Sequence, residues 1–172
     1  MGLRRPSRCS SSPIARPRRF LLDRRVWFPE PFIRPTALCV VRRGDDLLVE
    51  EVLDPVKGVN GYRPLGGGIQ FGERSADAAR REMQEELGIE VVITRFLGST
   101  ENIYVHMGKP GHEIIFLYEA DFSDSQLYDR HFFEGAEENG LPIRAFWKPL
   151  AGFREGREPI YPDGLLALLV QG

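Results

Sequence analysis

The chain has 172 residues, enough for one ordinary domain with tails and too few for two. Hydrophobic residues at 42% and charged residues at 28% exclude wholesale disorder and fibrous classes, and no apolar stretch nears the roughly 18–20 residues that span a bilayer. The formal net charge of −2 is a cancellation: residues 1–25 hold eight of the 23 basic residues against Asp23 alone, a net +7, which leaves −9 on residues 26–172. An acidic body argues against a broad nucleic-acid face there, while a basic tail leaves that route open. Two cysteines, Cys9 and Cys39, are too few for a disulfide framework, so a reducing, cytoplasmic compartment is expected.

Residues 1–31 read as a basic N-terminal extension. Arginines interleave with Ser10–Ser12 and with Pro6, Pro13 and Pro17, a composition that cannot bury enough apolar surface to fold alone. A mobile tail, a start assigned too far upstream, an electrostatic arm and a targeting segment all remain open, although the prolines oppose the amphipathic helix of a transit peptide. From residue 32 to 172 the pattern is that of a folded domain. Thr36–Val41 predicts a buried strand, Arg42–Asp46 a tight turn, and Leu47–Leu53 the returning strand of a hairpin. Asp54–Tyr62 reads as a loop and Arg63–Gly72 as a short extended stretch crowded with glycine. Ser75 is the expected N-cap of a helix over Ala76–Leu87, with Gly88 its stop. Strands are expected over Glu90–Phe96, Glu101–Val105, Glu113–Phe122 and Pro142–Leu150, an acidic loop over Ser123–Gly140, and a short helix over Gly164–Val170. The sum is a mixed α/β domain without internal repeats.

The chemistry gathers on the first helix. Ala76, Ala79, Met83 and Leu87 form an apolar stripe, and Glu82, Glu85 and Glu86, at i, i+3 and i+4, gather their carboxylates on an adjoining face. Like charges at that spacing cost about 0.2–0.5 kcal/mol per pair, so a positive partner is expected. A hard divalent cation such as Mg2+ suits, since it takes one or two carboxylates and completes its shell with water and phosphate. A solvated Glu-rich helix is the bland alternative, and Gly66-Gly67-Gly68 just upstream weighs against it, because backbone without Cβ atoms can approach an ion or phosphate closely.

Gly67, five residues, Glu73, seven residues, then Arg81-Glu82-Met83-Gln84-Glu85-Glu86-Leu87-Gly88-Ile89 matches every position of the Nudix box, so the chain resembles the Nudix hydrolases. At average residue frequencies a chance match in a chain of this length is on the order of one in a million. The resemblance implies an α/β/α sandwich with a mixed central sheet and hydrolysis of a nucleoside diphosphate linked to another moiety. It implies that Glu82, Glu85 and Glu86 hold Mg2+ or Mn2+, joined by a backbone carbonyl of Gly66, with Gly67 next, while Glu73 and Arg81 are structural. Glu85 is the first choice for general base, with Glu113, Glu137 and Glu138 as candidates outside the box. Arg63 could reach a phosphate or bracket the glycine turn, and Tyr104, Tyr62, Phe132 or Trp147 could stack on a base. His106, His112 and His131 lack metal-ligand spacing.

Substrate choice is less legible. A tyrosine fifteen positions past the box, Tyr104, resembles the pattern of dinucleoside polyphosphate hydrolases, and no Ser-Gln-Pro-Trp run of the NADH subgroup is present. Nucleotide sugars and nucleoside triphosphates remain open. Three rival readings stand beside hydrolysis of a small nucleotide: an RNA 5′-end pyrophosphohydrolase using the basic tail, a non-catalytic regulatory domain, and an isomerase resembling isopentenyl diphosphate isomerase, for which Cys39 would need to be reactive. A homodimer exchanging residues 20–35 is compatible with the pattern.

Overall fold

Alternation along one strand divides the molecule into two cores. In the computed structural model, which describes residues 29–137 and 140–170, the strand β1 (Ile33–Arg43) sends Ala37, Cys39 and Val41 into one core and Leu38 and Val40 into the other, as the two-residue pleat requires. The basic segment 1–25 with Cys9, and Glu138, lie outside the described residues. The remaining strands are β2 (Asp46–Asp54), β3 (Val59–Arg63), β4 (Leu65–Gly68), β5 (Val91–His106), β6 (Lys109–Phe122), β7 (Phe132–Ala136) and β8 (Pro142–Pro149). Among the described residues three α-helices, α1 (Ser75–Leu87), α2 (Leu150–Arg154) and α3 (Leu165–Val170), accompany them.

The sheet is mixed, in the order β5-β6-β1-β2-β8-β7, with β3 beside β2 and β4 beside β1. β1 and β6 run parallel from Ile33 opposite His112 to Val41 opposite Ala120, and the other pairs are antiparallel. α1 packs its Ala78, Ala79 and Met83 into the core with Ala37, Cys39 and Leu65, while Leu150, Phe153, Leu165 and Leu169 of α2 and α3 pack with Leu38, Val40 and Val49 on the opposite face. The architecture is therefore the expected α/β/α sandwich.

Several local expectations are corrected. The hairpin of β1 and β2 is confined to its turn, with Arg42 opposite Leu47 and Arg43 opposite Asp46. β1 is already flanked at Thr36–Cys39 by β4 and β6, so β2 turns away to pair with β3 and β8. The two strands expected over Glu90–Phe96 and Glu101–Val105 are one long strand, β5, that stays paired with β6 across two register shifts near Ile93 and Gly98. The loop expected over Asp54–Tyr62 contains all of β3 but its last residue, Arg63. The acidic loop contains a short 3-10 helix, Ser125–Asp129, and the strand β7, whose Phe133 enters the core. The N-cap of α1 is Arg74, in extended conformation and without a side-chain cap bond. Ser75 is instead the first helical residue, and its hydroxyl shares a 2.6 Å hydrogen bond with the Tyr118 hydroxyl. Gly88 ends the helix as expected, in the left-handed region at φ 69°. Among the described residues no helix is long and apolar enough to cross a membrane.

Candidate active site

The buried stripe of α1 is not the one expected from apolar residues alone. Ala76 and Leu87 are only partly buried, while Ala78, Ala79, Met83 and Glu86 are buried. Glu86 follows Ala79 and Met83 at i+7 and i+3, so the core-facing side of the helix runs directly into a carboxylate. The three box glutamates thus meet three environments: Glu86 is 6% exposed, Glu82 has a side chain 15% exposed, and Glu85 one 57% exposed.

One guanidinium ties the box together. Arg81 Nε donates to Glu73 Oε1 at 2.9 Å, and its Nη2 donates to Glu73 Oε2 at 3.1 Å and to the Gly68 carbonyl at 2.9 Å. Its Nη1 donates to Glu82 Oε1 at 2.9 Å and Glu85 Oε2 at 2.7 Å. Glu73 also accepts from the Gln70 backbone N–H, closing the loop between β4 and α1. The Arg81 hydrogen bonds hold the Glu73 carboxyl below the usual carboxylate range, and the carboxylates in turn raise Arg81. Burial pushes Glu82 upward against the pull of Arg81. Glu86 is pushed up to about 8, first by burial and then by Glu50, and its Oε2 is buried without a hydrogen-bond partner among the described residues.

Glycine serves the site at defined points. Gly66 has φ 132°, and a Cβ there would lie 2.3 Å from the Ala37 carbonyl oxygen. At Gly67 a Cβ would lie 2.5 Å from Glu82 Cδ, so the absent side chain is what lets the helix carboxylate approach the strand. Gly135 of β7 does the same for the other end of the helix, since a Cβ there would lie 1.8 Å from the Glu86 carbonyl oxygen.

Outside the box the structure brings in a residue that sequence reasoning missed. Glu50 of β2 lies opposite Arg63 of β3 and forms an ion pair with it, Oε1 to Nε at 3.0 Å, while Nε donates to the Pro64 carbonyl at 3.5 Å and Nη2 to the Gly66 carbonyl at 2.5 Å. Burial pushes Glu50 up to about 6. Its signal in the sequence was faint: an acid at a position of β2 that shares a sheet face with buried Leu48. Glu113, by contrast, is buried in β6 and pairs with Arg34 at 3.6 Å. Burial first, and then the neighbouring Glu113 charge, raise the Tyr104 hydroxyl above the usual phenol range. The Tyr104 ring covers Gly111 and joins Phe32, Arg34, His112 and Glu113 around a cleft of about 230 Å3. Arg34 also lies beside Gly68 and acts on Glu82, so this cleft adjoins the box. Glu137 is exposed after β7.

The other aromatic candidates lie away from this group. Tyr62 packs on Phe146 and Phe153, and Trp147 stacks on Tyr128. Phe132 lies under the Arg144 guanidinium. Among the histidines, His112 bonds Glu101 at 2.8 Å and His106 lies 3.8 Å from Asp54. The Cys39 thiol is fully buried, pushed up to about 12 by burial, and directed at the Ala79 carbonyl, so it is no reactive cysteine.

The donor set suits a hard divalent cation. All its ligating atoms are oxygens, one of them is a buried carboxylate oxygen without a partner, and a glycine cradle stands beside Glu82. As placed, no three acidic, imidazole or thiol groups among the described residues converge on one point, and the Arg81 guanidinium bridges Glu82 and Glu85.

The family model for the NUDIX domain matches residues 32–163. The chain belongs to the Nudix family of hydrolases. Among curated relatives it is similar to the NAD-capped RNA hydrolase NudC of Pseudomonas fluorescens, 32% identical over 59% of this chain and 38% of that one. It is also similar to NudC of Haemophilus influenzae, 29% identical over 60% of this chain and 40% of that one. The chain thus spans about two fifths of the length of these relatives. Among solved structures it resembles a NUDIX hydrolase from Nitrosomonas europaea, with a TM-score of 0.56 at 15% identity, covering 81% of this chain and 87% of that one. The E. coli ORF135 protein gives a TM-score of 0.55 at 18% identity, covering 80% and 86%. At these identities the structural likeness speaks for the fold alone.

Proposed function

We propose that this chain is a divalent-metal-dependent pyrophosphohydrolase that cleaves a nucleoside diphosphate linked to another moiety by attack of water at phosphorus. The observation that carries the proposal is the buried, partnerless Glu86 Oε2 beside Glu82 and Glu85, on a helix whose box is complete. Glu82, Glu85 and Glu86 would hold Mg2+ or Mn2+, with a carbonyl of the glycine turn at Gly66 or Gly67. Such an ion, when bound, stabilises charge on phosphoryl oxygens and acidifies water.

The chain's own residues divide the remaining work. Arg81 and Glu73 lock the loop to the helix, so that the carboxylates are set before substrate arrives. Glu85 is the proposed general base, since it alone of the box glutamates faces open solvent, where a water can reach it. Glu113 is buried behind Arg34, which suits it to orienting Tyr104 and Arg34 at the cleft. That cleft would take the moiety beyond the pyrophosphate, with Tyr104 and Phe32 as its aromatic surfaces. A buried free thiol is in keeping with a reducing, cytoplasmic setting.

A second reading draws on the relatives named NAD-capped RNA hydrolase: the dinucleotide NAD, free or at an RNA 5′ end, as substrate. This chain lacks the Ser-Gln-Pro-Trp run and covers only part of those relatives, so the broader class is preferred. One experiment tests both. Incubation with Mg2+ or Mn2+ and dinucleoside polyphosphates, nucleotide sugars, ADP-ribose, NAD, NAD-capped RNA and nucleoside triphosphates, followed by phosphorus-31 spectroscopy, should show turnover of one class. EDTA should abolish it, and Glu85→Gln or Glu86→Gln should lower it by about a hundredfold or more. Unchanged turnover in both variants would refute the assignment.

A further inference from the structure

Carboxylates from four separate parts of the chain, one of them in the box, act on one guanidinium outside it. Arg63 faces Glu50 on β2 and also feels Glu113 on β6, Glu86 on α1 and Glu137 after β7. Glu50 and Arg63 are register partners across β2 and β3, so the sheet itself places the pair. Their side chains are 13% and 26% exposed, well withdrawn from solvent. A pair serving only to join two strands needs a single acid, whereas this cation sits among an excess of negative charge. It does not saturate that charge, since Glu86 Oε2 stays without a partner. Its two ends do different things: Nε is held by Glu50, while Nη2 rests on the carbonyl of Gly66.

We propose that Glu50 and Arg63 are positioning residues of this site: the ion pair with Glu50 fixes the guanidinium so that Nη2 stands at the glycine turn, beside the Gly66 carbonyl, where it is offered to an anionic phosphate oxygen of the substrate. The inference rests on the metal-dependent hydrolase reading. A guanidinium and a divalent cation that share a carboxylate, here Glu86, oppose each other electrostatically. A carbonyl oxygen already engaged by a cation is also a poorer metal ligand. Substrate phosphate relieves the conflict, because it brings negative charge to both cations. Only a fork can hold Glu50 and still present a second N–H, and a lysine ammonium in this position lacks that fixed geometry. The consequence is reciprocal: metal and phosphate each strengthen binding of the other through Arg63.

The test uses the full chain, Mn2+ binding by electron paramagnetic resonance without nucleotide, and ADP binding by calorimetry under saturating Mg2+. Arg63→Gln should tighten Mn2+ by roughly threefold or more and weaken ADP by on the order of tenfold. Arg63→Lys keeps the charge, so Mn2+ affinity should stay within about twofold while ADP affinity still falls. Glu50→Gln should weaken ADP as well. Circular dichroism and melting report whether each variant is folded, and Arg63→Lys decides the matter if Arg63→Gln is not. Unchanged or weaker Mn2+ binding in a folded Arg63→Gln protein, or unchanged ADP affinity in Arg63→Lys, would overturn the inference. If the wild-type chain binds Mn2+ and hydrolyses a substrate yet Arg63 variants change neither affinity, this inference alone fails. If the wild-type chain binds no Mn2+, the hydrolase reading fails and takes this one with it.

Discussion

Adjacent glycines in the box turn should respond oppositely to the same added methyl group. Gly66→Ala forces a Cβ to 2.3 Å from the Ala37 carbonyl oxygen and 2.9 Å from Leu38 Cα, both backbone atoms of β1 that are paired on each side. Its φ of 132° adds strain for any L-residue. Strain of about 1–3 kcal/mol plus a comparable overpacking term gives roughly 3–5 kcal/mol of destabilisation, or about 6–20 °C in Tm for a domain of this size. Gly67→Ala instead meets Glu82 Cδ at 2.5 Å and both its carboxylate oxygens at 2.7 Å, the far end of a flexible side chain that can turn aside. Its stability should therefore fall by no more than about 1 kcal/mol. Its Mn2+ affinity and turnover should fall by about tenfold or more, because Glu82 is displaced from the ligand set. Gly68→Ala, with Arg34 Nη2 at 3.4 Å, should be tolerated in both respects. Urea denaturation and Mn2+ titration of the three variants provide the assay. Equal stability losses at Gly66 and Gly67, or a Gly67→Ala protein with wild-type metal affinity, would refute the reasoning.

Glu86→Gln should abolish turnover yet leave the protein in EDTA as stable as the wild type or more so, because it replaces a buried carboxyl, one oxygen of which finds no partner among the described residues, with a group that can never ionise; a lower Tm in EDTA would contradict this. Arg81→Lys should cost about 2–4 kcal/mol in urea denaturation, since one ammonium cannot replace contacts to Glu73, Gly68, Glu82 and Glu85. Burial would raise Asp54, but the backbone N–H groups of Lys57, Met107 and Val56 outweigh it and hold its carboxyl below the usual range. The link it makes between the loop after β2 and the hairpin of β5 and β6 is therefore present above about pH 4 and lost as pH falls through the lowered native value. Hydrogen exchange at the Met107 amide, followed from pH 6 down to pH 2.5, should show protection weakening only at the acid end and should show none of it in Asp54→Ala. In a Cys9→Ser variant, Cys39 should resist thiol reagents until the protein is denatured; prompt reaction of the native protein would contradict its burial.

The family and the layered fold were legible because both are carried by short-range pattern. A box of fixed spacing marks the helix that carries the candidate site, and two-residue alternation in β1 assigns its side chains to two cores. The strand β7 was not legible, since Phe132–Ala136 sits among charges and becomes a strand only by pairing with β8 and lying under the end of α1. The Arg74 cap was missed because Ser75, a good capping residue, found Tyr118 from another strand.

The division of labour among the site residues follows the same line. The sequence by itself determined which glutamates share a helix, because helical spacing is a local property of the backbone. Only the tertiary structure decided that Glu86 is buried, Glu82 is set against a glycine strand and Glu85 is left in solvent. That outcome depends on which face of α1 the sheet covers, and apolar periodicity alone misplaces this face when a carboxylate lies within it. Likewise no local spacing relates Glu50 to Arg63 or to Gly66. Their meeting is a matter of strand register, and register is settled by the whole sheet.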